Sequence, residues 1–275
     1  MNDYYRPGGF TMMPQAVKNL LIINVLFFIA TGILQDRNID LYQLLGLSWI
    51  ESANFRPWQF ITYMFMHADF SHLFFNMFAL WMFGYLIENF WGAKRFLTFY
   101  FITGIGAALV QLGINYFEIS HLKGLLEVYA SNPNIADFRN IVQDYFATRE
   151  NVEIGNNLLR EWSMNPNDSV CIGKSLEQLR IMLEGRMAIP MVGASGAVFG
   201  ILLAFGMMFP NQRIYVYFLF PIKAKYFVIL YGAVEFFFGI SGAQSGVAHF
   251  AHLGGMLFGF ILIMYWRNKY KFRRK

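Results

Sequence analysis

Long apolar runs alternate with short polar stretches along the chain. A helix crossing a lipid hydrocarbon core needs about 20 mostly apolar residues, within a range of about 17–25. Six stretches qualify, at approximately 17–34, 73–87, 96–116, 189–209, 226–239 and 247–266. The second has a soft start that could reach back towards Trp58 and Met66, and the fifth is short. The first reads as a membrane span and not as a cleavable signal peptide, because few charges flank it and no small-residue cleavage site follows Leu34. Residues 117–188 break the pattern. There Phe138, Ile141, Val142, Tyr145 and Phe146, then Leu176, Leu179 and Leu183, recur at helical spacing, and Asn132-Pro133 and Asn165-Pro166 punctuate the stretch. This predicts a small subdomain of two to four short helices, amphipathic enough to lie on the bilayer surface or to pack on the helix bundle.

Composition excludes a soluble globule. The chain is 56% hydrophobic and 14% charged, where a soluble domain carries about 25% charged residues. The single Cys171 forms no internal bridge and says nothing about redox compartment. Charge then orients the spans. An even number of them puts both termini on one side. Placing that side in the cytoplasm collects Arg6, Lys18, Lys94, Arg95, Arg213, Lys223, Lys225 and the tail Arg267, Lys269, Lys271, Arg273, Arg274 and Lys275 against only Asp3 and Glu88. Asp36, Asp40, Glu51, Asp69 and the acids from Glu118 to Glu184 fall on the other side. The excess of basic residues favours cytoplasmic termini. The tail reads as a topology anchor in contact with anionic lipid, and no nucleic-acid motif accompanies it. The expected fold class is an all-α polytopic membrane protein with six transmembrane helices. Its expected parts are a cytoplasmic segment 1–16, three helices within 17–116, a mostly helical extracytoplasmic insertion 117–188, three helices within 189–266 and a basic cytoplasmic tail 267–275. The expected location is the cell (inner) membrane of a prokaryote.

Three polar clusters interrupt the apolar runs. Ionisable or strongly polar groups inside a membrane helix are costly and are functional candidates by default. The first cluster is His67-Ala-Asp-Phe-Ser-His72-Leu-Phe-Phe-Asn76, at the outer end of the second span. His72 and Asn76 stand four apart, on one helical face a turn apart. They suit either interhelical hydrogen-bond glue or a functional site. His67, Asp69 and His72 lack a metal-ligand spacing such as His-Glu-x-x-His, so no metal site is expected. The second cluster is Gly193-Ala194-Ser195-Gly196-Ala197-Val198-Phe199-Gly200. Gly196, Gly200 and Ala204 form the small-residue stripe that lets two helix backbones approach closely. Ser195 follows Pro190 and Gly193, where a helix begins, and a helix N-terminus offers unpaired N–H donors to a developing oxyanion. The third is Ala251-His252-Leu-Gly-Gly255-Met-Leu-Phe-Gly259. It sets His252, and His249 one turn earlier, on the face of a Gly255/Gly259 stripe. Packing the two stripes brings Ser195 within reach of His252. That is nucleophile–base logic without the third residue of a triad.

These motifs resemble those of the rhomboid intramembrane serine proteases: H-x4-H-x3-N (His67, His72, Asn76), G-x-S-G (Gly193, Ser195, Gly196) and A-H-x-x-G-x-x-x-G (Ala251, His252, Gly255, Gly259), in the family's order on its second, fourth and sixth helices. Glu88 and the stretch through Gly92 also sit where the family has an acid and a turn. The resemblance covers approximately 17–114 and 189–266. The chain departs from the family in its long insertion after the third helix and in Phe199, where the family often has a Tyr that stacks on the histidine; stacking is expected to survive the loss of the hydroxyl.

The resemblance implies that Ser195 attacks a peptide carbonyl and His252 takes its proton. The backbone at Ser195 and Ala194, with His72 and Asn76, would hold the oxyanion, with Gly193 positioning the site. His67, Phe199, His249, Gly255 and Gly259 would support it. The Gly- and Ser-rich segment 240–246 would act as a mobile cap, and Phe236, Phe237 and Phe238 as a lateral gate. The implied substrate is a single-pass transmembrane protein cut near the outer end of its helix. No metal, nucleotide or flavin motif is present, so no cofactor is expected, and nothing in the sequence sets the oligomeric state. A catalytically silent, client-binding relative is the alternative. A transporter would require charges buried mid-helix or broken helices in paired repeats, and the apolar runs suggest neither.

Overall fold

The computed structural model describes residues 11–166, 168–216, 219–241 and 247–272. Among these, eleven α-helices and one two-stranded ribbon make an all-α polytopic membrane protein. The helices are α1 (Gln15–Gln35), α2 (Leu41–Leu45), α3 (Gln59–Thr62), α4 (Phe70–Trp91), α5 (Ala93–Ser131), α6 (Ile135–Tyr145), α7 (Arg149–Met164), α8 (Ser169–Ala188), α9 (Ser195–Met208), α10 (Ala224–Ser241) and α11 (His249–Phe272). The ribbon pairs β1 (Arg213–Val216) with β2 (Phe220–Lys223) antiparallel. Two compact units share these elements. One comprises the described residues of Met1–Leu47, Arg56–Leu112 and Pro190–Lys275, the other Ser48–Phe55 and Gly113–Ile189.

In the first unit α1, α4, α10 and α11, together with α5, which continues into the second, are long and apolar enough to cross a membrane. α1 leaves Ile22, Leu26, Ile29 and Ile33 exposed in one row, and α10 leaves Ile229, Leu230, Phe237 and Ile240 exposed. Such rows are costly in water and suit lipid tails. The fourth apolar run departs from expectation. Predicted over 189–209, it is helical only over Ser195–Met208. Pro190 has no N–H to give a helix, Met191 exchanges backbone hydrogen bonds with Leu47, and Gly193 has a φ of +126°. α9 is therefore about 21 Å long, at 1.5 Å per residue, and short of the roughly 30 Å hydrocarbon core. It is the most enclosed helix, with Gly196 through Leu202 and Ala204 through Gly206 buried.

Other boundaries also moved. The second span starts at Phe70; Gln59–Thr62 and Tyr63–Phe65 are separate short turns before it. The third, expected to end near Tyr116, continues to Ser131. Single polar residues such as Glu118 and Lys123 do not break a helix, whereas Asn132-Pro133 does. The β1–β2 ribbon was not predicted at all. Residues 242–246, most of the expected cap, lie outside the described residues.

The second unit has a core of its own, in which Phe138, Ile141 and Val142 of α6 meet Leu158, Leu159 and Trp162 of α7 and Cys171, Leu179 and Met182 of α8. Side chains cap each helix: Asn134 accepts from the Asp137 N–H, Thr148 from Asn151 and Asp168 from Val170. The indole of Trp162, almost wholly buried, donates to the Pro166 carbonyl at 3.1 Å.

Two non-local bonds to one carboxylate anchor the first span. Glu88, buried near the end of α4, accepts from the N–H groups of Ala16 and Val17 at 2.9 and 2.7 Å. These are orphan donors of the first turn of α1, and a carboxylate there also meets the positive end of the helix dipole. Glu88→Ala should cost about 1.5–3 kcal/mol, read as a lower unfolding midpoint of the detergent-purified protein. Glu88→Gln, which keeps one acceptor, should lose less.

Candidate active site

The glycine stripes of α9 and α11 meet face to face. A Cβ on Gly255 would lie 1.9 Å from the carbonyl oxygen of Gly196, so only hydrogen fits there. One turn on, Gly259 faces Gly200 at 3.4 Å in the same sense, and Gly196 also faces Ala107 of α5. This backbone contact sets the side chains above it. Ser195 Oγ and His252 Nε2 are 2.8 Å apart. The Phe199 ring lies flat on the His252 imidazole, with centroids 4.2 Å apart and planes within 5°, so the expected stacking is present.

The start of α4 forms the opposite wall. Asp69 caps the helix by accepting from the His72 N–H at 2.9 Å. His72 Nδ1 accepts a long bond from the Ala68 N–H at 3.4 Å, which leaves the proton of the neutral ring on Nε2. That edge faces Gly193: a Cβ there would lie 2.8 Å from His72 Cε1 and Nε2, and 3.5 Å from Ser195 Oγ. The Gly193 N–H is already committed to the Tyr63 carbonyl at 2.9 Å. Gly193 therefore admits His72 to the serine, and its own N–H is not a spare donor. Asn76, one turn beyond His72, is buried and its Nδ2 has no hydrogen-bond partner among the described residues. His67, which precedes the span, is 1% exposed and packs edge-to-face on His72 at 5.0 Å. Burial, reinforced by His72, pushes its pKa down from 6.5 to about 4.

Sequence reasoning missed one residue. Glu235 sits within α10, 5% exposed, and its Oε2 lies 2.8 Å from His252 Nδ1 and 2.7 Å from His249 Nδ1. The expectation that no charge is buried mid-helix is thus corrected. The available signal was Glu235 itself, the one acid that the charge distribution assigned to neither side of the membrane. His249 consequently serves Glu235 and has no bond to the serine. Of the expected gate, Phe236 and Phe237 are exposed, while Phe238 packs on His249 at 5.7 Å.

Glu235, His249 and His252 also offer three ligand atoms within 4.8 Å of one another. A tetrahedral zinc, about 2.0–2.1 Å from each ligand, would hold pairs of ligand atoms about 3.3 Å apart. The observed 2.7 and 2.8 Å are hydrogen-bond distances instead.

Comparison with known families gives a match to the rhomboid domain over residues 54–121 and 169–269, more than half of the chain. The chain belongs to the rhomboid family. Both matched blocks hold site residues, the first His67, His72 and Asn76, the second Ser195, Glu235 and His252. Residues 122–168 of the insertion lie outside the match. Among individual proteins the chain is similar to Rhomboid-like protein 11, chloroplastic, of Arabidopsis thaliana, 36% identical over 93 residues, 34% of this chain and 31% of that one. It is also similar to Rhomboid protease AarA of Providencia stuartii, 39% identical over 64 residues, 23% of either chain, and to Rhomboid-like protease 1 of Toxoplasma gondii, 29% identical over 106 residues, 36% of either. The matches span about a quarter to a third of these relatives' own lengths. Rhomboid proteases are membrane proteins, and this chain is likewise an integral membrane protein. Eukaryotic proteins are among the relatives, so family membership does not assign the prokaryotic inner membrane expected above.

Two outcomes follow for this rhomboid site. Gly255→Ala should overpack the contact with Gly196 and lower stability by about 1–3 kcal/mol. Gly113→Ala, in a helix with nothing within 4 Å of the new methyl, should be neutral or stabilising. Thermal unfolding in detergent compares them. Because the folded state holds His67 below its ordinary 6.5, the unfolded chain binds more protons between about 6.5 and 4. Stability should therefore fall as pH drops through that window. His67→Phe should flatten part of that fall in unfolding curves taken across it.

Proposed function

We propose that the protein is an intramembrane serine endopeptidase, with Ser195 as nucleophile and His252 as general base. The observation that carries this reading is the 2.8 Å contact between Ser195 Oγ and His252 Nε2 at the free N-terminus of α9, in a chain of the rhomboid family. The Ser195 Oγ proton passes to Nε2 as the Oγ electron pair bonds the peptide carbonyl carbon and the carbonyl π pair moves onto oxygen. The backbone N–H groups of Ser195 and Ala194, His72 Nε2–H and the spare Asn76 Nδ2 receive that oxyanion. His252 then gives its proton to the leaving amine nitrogen as the C–N bond breaks. A water molecule loses a proton to His252 and attacks the ester, and collapse returns the proton to Oγ.

One feature supports a substrate within the bilayer, and two others orient the chain. α9 is shorter than the hydrocarbon core, and with its last residue Met208 near the side that carries Arg213, the serine at its first residue falls short of the other surface. Glu88 ties the start of α1 to the end of α4, and the Arg95 guanidinium lies 4.1 Å over the Trp266 ring and 5.2 Å over Trp91. The basic residues Lys18, Lys94, Arg95, Arg267 and Lys269 therefore flank the ends of the spans remote from Ser195, and we place that end in the cytoplasm. The substrate is a single-pass transmembrane protein cut near the outer end of its helix. An intact helix has every interior backbone group paired, so residues that let it unwind, with a small residue before the scissile bond, are the recognised features. Residues 117–188 are then extracytoplasmic.

A serine-reactive fluorophosphonate tests the chemistry. Wild type should label, and Ser195→Ala and His252→Ala should not. His72→Ala should slow the reaction about 10²–10³-fold, the usual worth of one oxyanion donor; equal rates would remove His72 from that role.

A further inference from the structure

We propose that Glu235 is a positioning residue for His252, so that this chain works through a Ser195–His252–Glu235 relay, and that His249 holds the carboxylate in place. The inference rests on the serine-peptidase reading above. An ionised carboxylate is an acceptor only, so both imidazoles that reach Oε2 at 2.7 and 2.8 Å do so through Nδ1–H. For His252 this has a chemical consequence. A neutral ring with its proton on Nδ1 carries its lone pair on Nε2, the atom 2.8 Å from Ser195 Oγ. A ring with nothing at Nδ1 would divide between two tautomers, and the one protonated at Nε2 cannot accept the serine proton. Glu235 removes that second tautomer. It also faces the imidazolium that forms when Ser195 gives up its proton, an interaction that grows in the transition state.

The surroundings make the carboxylate hard to explain as packing. Glu235 lies in a run that is otherwise free of charge, its only ion-pair partners among the described residues are these two histidines, and a buried acid in a membrane helix is costly. Phe199 covers one face of His252, and Phe238 packs on His249. His249 is buried, and its Nε2 has no hydrogen-bond partner among the described residues. Its Nδ1 bond to Glu235 is thus the one polar tie of its ring among the described residues, and it fixes the oxygen that His252 needs.

The test is the inactivation kinetics of the full-length, detergent-purified protein with a fluorophosphonate, comparing wild type and Glu235→Gln. The amide keeps the shape of the side chain but carries no charge, and where its NH2 faces Nδ1 of His252 it selects the tautomer that cannot accept the serine proton. The maximal inactivation rate should fall about 10²–10⁴-fold, while the apparent affinity for the probe and the unfolding midpoint stay near wild type. A structural role alone would move the midpoint and leave the rate of the folded fraction unchanged; Glu235→Gln that labels at the wild-type rate overturns the relay. Should that variant not fold, ¹⁵N-histidine NMR of the unmodified protein decides. A neutral His252 protonated at Nδ1 supports the relay, and one protonated at Nε2 overturns it. Wild type that never labels overturns the serine-peptidase reading first and this one with it, so the two failures are distinct.

Discussion

The contact of Gly196 with Gly255 is the constraint on which the site depends. In lipid there is little hydrophobic gain from bringing two apolar helices together, so association rests on close van der Waals packing and on small residues that permit it. Here the approach is close enough that a single methyl group on Gly255 would fall inside the Gly196 carbonyl. Ser195 lies one residue before Gly196, and His252 lies three residues before Gly255 on the same helical face. Backbone proximity thus becomes a hydrogen bond between side chains with almost no freedom left to either. α9 can be short and largely enclosed because its neighbours, rather than its length, hold it in the bundle.

Some polar groups within the spans are satisfied inside their own helix. Asn24, Thr31 and Thr103 give their side-chain hydrogens back to the carbonyls of Leu20, Phe27 and Phe99 four residues earlier in their own helices. The two threonines need no tertiary partner. The two buried acids, Glu88 and Glu235, have no such local solution. A carboxylate can only accept, and helix-interior N–H groups are already taken, so each must find donors on another element. Glu88 finds the open N-terminus of α1, and Glu235 finds two imidazoles on α11. The first joins spans, and the second lies against His252 beside Ser195.

The unit built on the insertion follows different rules. Its surface carries pairs such as Lys174–Glu161 at 2.7 Å and Arg180 with Glu177 and Glu184 at 2.9 and 3.0 Å, all well exposed. Exposed pairs of this kind contribute about 0–1 kcal/mol each, so its stability comes from the apolar core around Phe138 and Trp162. It is a helical unit with a core of its own, and most of it lies outside the residues that match the rhomboid domain.

How much of this was legible in the sequence divides along a physical line. Apolar length, helical spacing and breaker residues are local properties that add up along the chain. They gave the membrane class, the spans, the helical insertion and the two glycine stripes, and with the stripes the pairing of Ser195 with His252. The start of α9 was misplaced because the bridge from Met191 to Leu47 that replaces its first turn joins residues far apart in sequence. Glu235 was missed for the same reason. A single acid in an apolar run is visible, but its partners lie 14 and 17 residues away on another helix, and no spacing rule connects them. Likewise, only the fold commits the Gly193 N–H to Tyr63 while leaving Asn76 Nδ2 without a partner among the described residues. Sequence by itself determined which groups are present and on which helical face. Tertiary structure decided which atoms meet, because hydrogen bonds form or fail over tenths of an ångström between elements that share no local pattern.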